Sequence, residues 1–245
     1  MLSNNRKKEL ISLKQKKYRQ RYGQFMVEGE KSVFELYNSD YIITEILLTK
    51  EQNDKLGHLL NHPITLIISQ KDMEQISSLE TAPGIIAVSN FKEILTEEFN
   101  FDEKISLMLD GISDPGNLGT IIRIADWYGI NQIVCSTNCV DLYNPKTIAS
   151  SMGSFTRTKV LYESLPKLLN TCKVESYACV MDGQSIQTIK QPKEAIIIIG
   201  NEANGISDEV LALASKKITI PRIGKAESLN AGIATAIICH KFVLG

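Results

Sequence analysis

"AIIIIGNEANGIS", residues 195–207, decides how this chain is read. Ala195 to Ile199 is a continuous apolar run, the pattern of a central parallel strand buried on both faces. Gly200 ends the run and allows close approach to the backbone. Glu202 follows, Gly205 closes the turn, and Ser207 caps the next helix. The loop is neither a G-x-G-x-x-G fingerprint nor a Walker A sequence, so NAD and nucleoside triphosphates lose support. Two roles stay open for Glu202: it orients other groups, or it accepts hydrogen bonds from loop N–H donors.

The same strand, loop and helix rhythm extends outward. "ISLMLDG" (105–111) predicts a strand, "SDPGNLG" a turn, and "TIIRIADWYG" a helix closed by Gly129. Further strands are predicted at "INQIVCS" (130–136), "TKVLY", "ESYACVM" and "KITIP" (217–221), with helices at 164–172, 207–215 and 229–243. The default topology is an open doubly wound α/β sheet with its ligand at the C-terminal strand ends. Upstream, residues 5–20 predict one basic helix. "FMVEG", "EILLT", "ITLIIS" and "GIIAVSNF" predict strands, with helices at "EKSVFELYN" and "KDMEQISSL". These readings divide the chain into a basic arm (1–23), a small α/β domain (24–91), a charged linker (92–104) and a larger domain (105–245).

The 245 residues are 43% hydrophobic, which is enough for a substantial core. A net charge of -1 argues against a generally basic nucleic-acid binder. Residues 1–23, however, hold eight Lys/Arg and one acid, so the arm is +7 and the remainder -8. A basic arm on an acidic body can find phosphate chains, and a solvated helix face is the competing reading. The five cysteines form no CxxC pair and read as small buried residues of a reducing compartment. The three histidines show no zinc-ligand spacing, so no metal is expected. No apolar segment is long enough for a membrane span, and the N-terminus lacks a signal-peptide core. The expected location is the cytoplasm.

Two more loops carry polar groups. In "DGISDPGNLGTIIR", Gly116 and Gly119 flank Asn117, and Arg123 falls early in the predicted helix, where it strengthens an anion site. A plain turn with a surface Arg remains the alternative. In "IPRIGKAESLNAGIATAIICHKF" (220–242), Pro221 ends a strand, and Glu227, Ser228 and Asn230 crowd the start of an apolar helix. Ser228 and Asn230 cannot both be its N-cap, which leaves one for a substrate or for Arg123 unless both only serve the local backbone.

Taken together, "NLGTIIR", "IIIIGNEANGIS" and "ITIPRIGKAESLNAGIATAI" resemble the three ordered motifs of the SpoU-type (TrmH-like) RNA ribose 2′-O-methyltransferases of the SPOUT superfamily. "SNNRKKELISLKQKKYRQRYGQFMVEGEKSVFEL" resembles the small substrate-binding domain that members carry, itself similar to a large-subunit ribosomal protein. The resemblance implies a parallel sheet with a deep trefoil knot in place of the open sheet, a topology that connection rules alone would reject. It implies S-adenosylmethionine as cofactor, held mostly by backbone groups at Gly200, Ile220 and Leu229, with Asn201, Glu202 and Pro221 nearby. Arg123 becomes the central catalytic residue. Its guanidinium stays protonated, so a phosphate clamp is preferred to a general base. Asn117, Ser228 and Asn230 would orient Arg123 or the ribose, and Glu202 would brace the loops. The implied partners are RNA, most simply ribosomal RNA, and a second copy of the chain in a homodimer, with no metal and no membrane. A transfer-RNA methyltransferase, a non-catalytic RNA-binding or ribosome-assembly factor, and a nicotinamide-dependent oxidoreductase are the rival readings.

Overall fold

The computed structural model describes residues 2–60 and 62–245. Their contacts divide into two units, one reaching to Glu93 and including Tyr143–Thr156, the other Ile94–Leu142 with Arg157–Gly245.

The first unit runs α1 (Asn4–Ser12), α2 (Lys16–Tyr22), β1 (Gln24–Glu28), α3 (Glu30–Tyr37), β2 (Ile43–Thr49), α4 (Lys50–Leu56), β3 (Thr65–Ile68), α5 (Gln70–Ile76) and β4 (Ile85–Asn90). Its sheet has the order β1-β4-β2-β3, with β4 antiparallel to both neighbours and β2 parallel to β3. The single basic helix expected over 5–20 is corrected to two helices. Ser3 caps α1 by accepting from the Arg6 N–H, and the chain turns at residues 13–15 before α2 begins.

The turn has a side-chain cause. Arg19 is 2% exposed and points inward, its Nη1 donating to the Leu13 carbonyl at 3.0 Å and the Lys14 carbonyl at 2.9 Å. Leu10 and Leu13 join Met26, Leu47, Met73, Ile76 and Ile86 in one apolar core. Arg6 pairs with Glu45 and Glu9, Lys7 with Asp72, and Lys14 donates to the Ser77 carbonyl at 2.6 Å. Half of the basic residues read as a free arm are therefore committed to holding this unit together.

The second unit opens at β5 (Ile105–Asp110) and continues through α6 (Pro115–Trp127) and β6 (Gln132–Cys135). The chain then lends Tyr143–Thr156, which carries α7 (Pro145–Ser151), to the first unit. There Tyr143 lies 4.3 Å from both Phe25 and Phe91, centroid to centroid. The sequence reading kept this stretch in the larger domain, because nothing local marks where an aromatic residue will find its partners. The second unit resumes with β7 (Lys159–Tyr162), α8 (Leu165–Thr171), β8 (Ser176–Ser185), β9 (Ala195–Gly200), α9 (Asp208–Leu213), β10 (Lys216–Thr219) and α10 (Ala231–Leu244).

Its six strands are all parallel, in the order β10-β8-β9-β5-β6-β7. The isoleucine run of β9 sits between β8 and β5 and is buried from Ala195 through Ile199, as a strand covered on both faces must be. The charged stretch 92–104 was read as a linker. From Ile94 on it is laid on this unit instead, with Phe99 and Phe101 against the core and the Asn100 carbonyl accepting from Gln132 at 2.7 Å. Its apolar groups are too sparse to show a period, so sequence patterning missed them.

β8 and β10 do not pair smoothly. The register jumps from Lys217 opposite Ala178 to Ile218 opposite Gln184. A Cβ on Gly183 would lie 2.5 Å from the Ile218 backbone, so only glycine fits there. α10 packs against α6, with Thr235, Ile238, Cys239 and Phe242 buried. Burial pushes the Cys239 thiol up to about 12 and keeps it an inert apolar group.

Replacing Arg19 with Leu leaves two turn carbonyls without their donor. It should cost about 2–3 kcal/mol of stability, read as a lower urea midpoint; an unchanged midpoint would show that the turn does not depend on the guanidinium.

Candidate functional site

Polar groups collect beyond the C-terminal ends of β5, β9 and β10, where parallel sheets bind ligands. Asp110, the last residue of β5, is nearly buried. Its Oδ2 accepts from the Ser207 N–H at 2.8 Å and the Ser207 hydroxyl at 2.7 Å, which ties the start of α9 to the neighbouring strand. Ser207 precedes α9 as expected, but its hydroxyl serves Asp110 and makes no side-chain cap.

Asn201 shapes the loop between β9 and α9. Its Nδ2 donates to the Gly111 carbonyl at 2.7 Å, and its Oδ1 accepts from the Ala203 and Asn204 N–H groups at 2.8 and 3.1 Å. Asn201 and Gly205 also exchange backbone hydrogen bonds of 2.9 Å in both directions. A Cβ on Gly200 would lie 2.3 Å from the Gly205 carbonyl carbon and 2.4 Å from the Ile206 nitrogen. Glycine is required at 200 by the chain's own return past it, and Gly205, at φ +70°, makes the return turn.

The exposed Glu202 carboxylate accepts from the Asn117 Nδ2. Asn117 Oδ1 accepts from the Asn230 Nδ2 at 2.9 Å. Asn230 Oδ1 accepts from the Gly232 and Ile233 N–H groups at 2.9 and 3.3 Å and so caps α10. An ionised carboxylate can only accept, so Glu202 sets the direction of the whole series: each amide must turn its NH₂ toward the carboxylate and its oxygen toward α10. Three loops far apart in sequence thus meet in one hydrogen-bonded row. Asn230 is the cap, which leaves Ser228 with no hydrogen bond among the described residues.

Arg123 stands apart from this row. α6 begins at Pro115, capped by Asp114 through the Asn117 N–H at 2.9 Å, so the predicted turn "SDPGNLG" already contains the first helical residues. Arg123 is eight residues beyond Pro115, about 12 Å along the axis, and not at the helix start. It is exposed and has no hydrogen-bond or ion-pair partner among the described residues. Asn117 and Asn230 bond to each other rather than to Arg123. One turn further, Trp127 is 84% exposed. The sequence reading passed over it, although the signal was there: Leu118, Ile121, Ile122 and Ala125 make the inward stripe of α6, and Trp127 lies off it. On α10, Ile233 and Ile237 are likewise exposed.

The segment from Pro221 to Asn230 is exposed throughout. Among the described residues, its one hydrogen bond from a charged side chain runs from Arg222 Nη1 to the Ala226 carbonyl at 3.1 Å. No backbone N–H from Arg222 to Leu229 bonds to another backbone group among the described residues. The segment that follows β10 and leads to Asn230 therefore presents unspent backbone donors, a surface suited to a ligand read through main-chain groups.

A wholly parallel sheet with its polar loops gathered at the C-terminal strand ends defines an α/β ligand-binding domain, here accompanied by a small mixed-sheet unit. The chain belongs to the SpoU rRNA Methylase family, whose model matches residues 104–240. Residues 4–87 match an MRM3-like substrate binding domain. The chain is 31% identical to the 23S rRNA (guanosine(2553)-2'-O)-methyltransferase RlmP of Bacillus subtilis, over 97% of this chain and 95% of that protein. Among solved structures it is similar to a TrmH-family RNA methyltransferase of Porphyromonas gingivalis, at 33% identity and a TM-score of 0.87, covering 99% of this chain and 98% of that one. It is also similar to an AdoMet-bound rRNA methyltransferase of Sinorhizobium meliloti, at 26% identity and a TM-score of 0.89, covering 99% and 95%. Among the described residues, no helix is long and apolar enough to cross a membrane.

Because the Gly205–Ile206 backbone occupies the space, Gly200→Ala should cost at least about 2 kcal/mol and loosen the loop that carries Glu202. Thermal unfolding reads the first effect. A melting temperature equal to that of the parent protein would contradict the close approach.

Proposed function

We propose that this chain is an S-adenosylmethionine-dependent methyltransferase acting on the 2′-hydroxyl of a ribose in RNA, most simply ribosomal RNA. The observation that carries the reading is the row Glu202–Asn117–Asn230, which unites the loops of all three motifs at the strand ends. The named function of the Bacillus subtilis relative supports ribosomal over transfer RNA.

The cofactor fits the groups present. Backbone atoms at Gly200, Ile220 and Leu229, with Asn201, Glu202 and Pro221 beside them, would hold it, and the unspent N–H groups after Pro221 suit an adenine edge or a carboxylate. When bound, S-adenosylmethionine supplies a methyl group already activated as a sulfonium. The residues of the chain then have to place the ribose oxygen. Fixing that alignment accounts for roughly 7–11 kcal/mol of a barrier of this kind. The Glu202 row keeps the loops in register, and Ser228 offers a hydroxyl not engaged elsewhere. Arg123 keeps its positive charge and acts as a clamp on an RNA phosphate and on the developing negative oxygen.

Homodimerisation belongs to the same proposal. Arg123 is separated from the row in its own chain, and Trp127, Ile233 and Ile237 are exposed on the paired helices α6 and α10. A second copy seated on these helices would cover that apolar surface and bring an Arg123 to the row of its neighbour. The trefoil knot is likewise a proposal, supported by the family and by β10 pairing at the β8 edge before the chain returns to α6 through α10. A cytoplasmic location belongs to the same proposal and is supported by the bacterial relative.

In a single-turnover assay on ribosomal RNA, Arg123→Ala should lower the methylation rate about 100-fold or more, while S-adenosylhomocysteine binding is retained. Near-normal turnover would remove Arg123 from the chemistry. Trp127→Glu should convert a dimer to a monomer by sedimentation velocity and abolish turnover in parallel; a persistent dimer would move the interface elsewhere.

A further inference from the structure

We propose that α2 in the first unit is a stacking platform for unpaired bases of the RNA substrate, an inference that rests on the RNA-directed reading above and assigns one contact within it. Residues 10–27 contain no Asp or Glu, and α2 has the sequence KKYRQRY. Its buried side is supplied by Arg19, whose hydrogen bonds to the preceding turn fix which way the helix faces. Lys16, Lys17, Gln20 and Arg21 are consequently turned to solvent. Elsewhere in the unit, Arg6, Lys7, Lys55 and Lys92 have carboxylate partners, while Lys8, Lys31 and Lys50 have none among the described residues. Lys16, Lys17 and Arg21 have none among the described residues.

Two tyrosines share the helix with these cations. Tyr18 and Tyr22 are one turn apart, with rings inclined by only 16° and centroids 6.4 Å apart, and Tyr22 is 38% exposed. Lys17 Nζ lies 4.8 Å from the Tyr18 ring centre, and Arg21 Cζ lies 5.7 Å from that of Tyr22. Each ring therefore has a cation over it, which a base taking the ring face would displace toward the neighbouring phosphate. Aligned aromatic faces beside unpaired cations are the composition of a single-strand site, because bases in a duplex keep their faces stacked on one another. A purely solvated charged face would have no use for two aligned rings. An acidic protein partner would use the cations and leave the rings idle.

The test uses the full chain and a single-stranded RNA of about 12 nucleotides, within the usual footprint of such sites, together with the same sequence annealed to its complement. Tyr18→Ala/Tyr22→Ala should weaken single-strand binding about 5-fold or more and leave duplex binding nearly unchanged. Tyr18→Phe/Tyr22→Phe should retain the affinity. Lys17→Gln/Arg21→Gln should reduce the slope of log affinity against log salt by about 1.4, for two single-strand phosphates. Equal losses for duplex and single strand, or no loss with the alanine pair, would overturn the proposal. The same holds if an acidic peptide, but not the RNA, responds to the cation variants. Because Tyr18 is partly buried, unaltered protein is also cross-linked to a 4-thiouridine oligonucleotide: adducts on residues 16–22 support the platform, and adducts confined to other segments refute it. S-adenosylhomocysteine binding and methylation of saturating RNA report on the catalytic reading separately. A chain that stacks RNA on α2 but transfers no methyl group would refute that reading alone.

Discussion

A carboxylate that can only accept hydrogen bonds organises the site. Glu202 takes the Asn117 amide, which forces the oxygen of Asn117 toward Asn230 and the oxygen of Asn230 toward the exposed N–H groups of α10. Reversing any amide would set oxygen against oxygen and leave helix donors without a partner. The row therefore couples the cap of a helix to the closure of a loop between a strand and a helix. Two further polar ties support it. Asp110 fastens Ser207, and Asn201 fastens the loop back to Gly111. The parallel sheet supplies the strand ends, but these directional bonds decide where the three loops come together.

The two units use charge in different ways. In the first, several basic residues are structural: Arg19 plugs a turn, and Arg6 and Lys7 close ion pairs with Glu45 and Asp72. The cations left on α2 stand out because they share the helix with two aligned tyrosine rings. In the second unit, Arg123 is left unpaired on a helix face that also exposes Trp127. That face of α6 is the one proposed above to receive a second copy of the chain.

Glycines at three positions are fixed by close approach rather than by ligand space. Gly200 faces the Gly205–Ile206 backbone, Gly183 faces Ile218, and Gly232 brings α10 within 2.9 Å of the Thr120 side chain, measured from an added Cβ. The sequence reading expected something to approach the backbone at Gly200. The structure identifies one such group as the chain's own returning loop, a contact no local pattern can show.

Much of the architecture was legible in the residues themselves. Apolar runs such as Ala195–Ile199 read as strands because a doubly covered strand needs no polar alternation, and Asn230 stood among the candidate caps because short polar side chains serve helix N-termini. The motifs "NLGTIIR", "IIIIGNEANGIS" and "ITIPRIGKAESLNAGIATAI" carried the family resemblance. Other features were set only in three dimensions. The basic helix breaks at residues 13–15 because a buried Arg19 satisfies the turn, Tyr143–Thr156 leaves its own unit to join an aromatic cluster, and Phe99 and Phe101 draw a supposed linker onto a core. Periodicity and propensity report how a segment meets solvent or its nearest neighbours along the chain. Which distant group satisfies a given carbonyl, ring or carboxylate depends on tertiary packing, and so the direction of the Glu202 row and the isolation of Arg123 from it were decided by the fold.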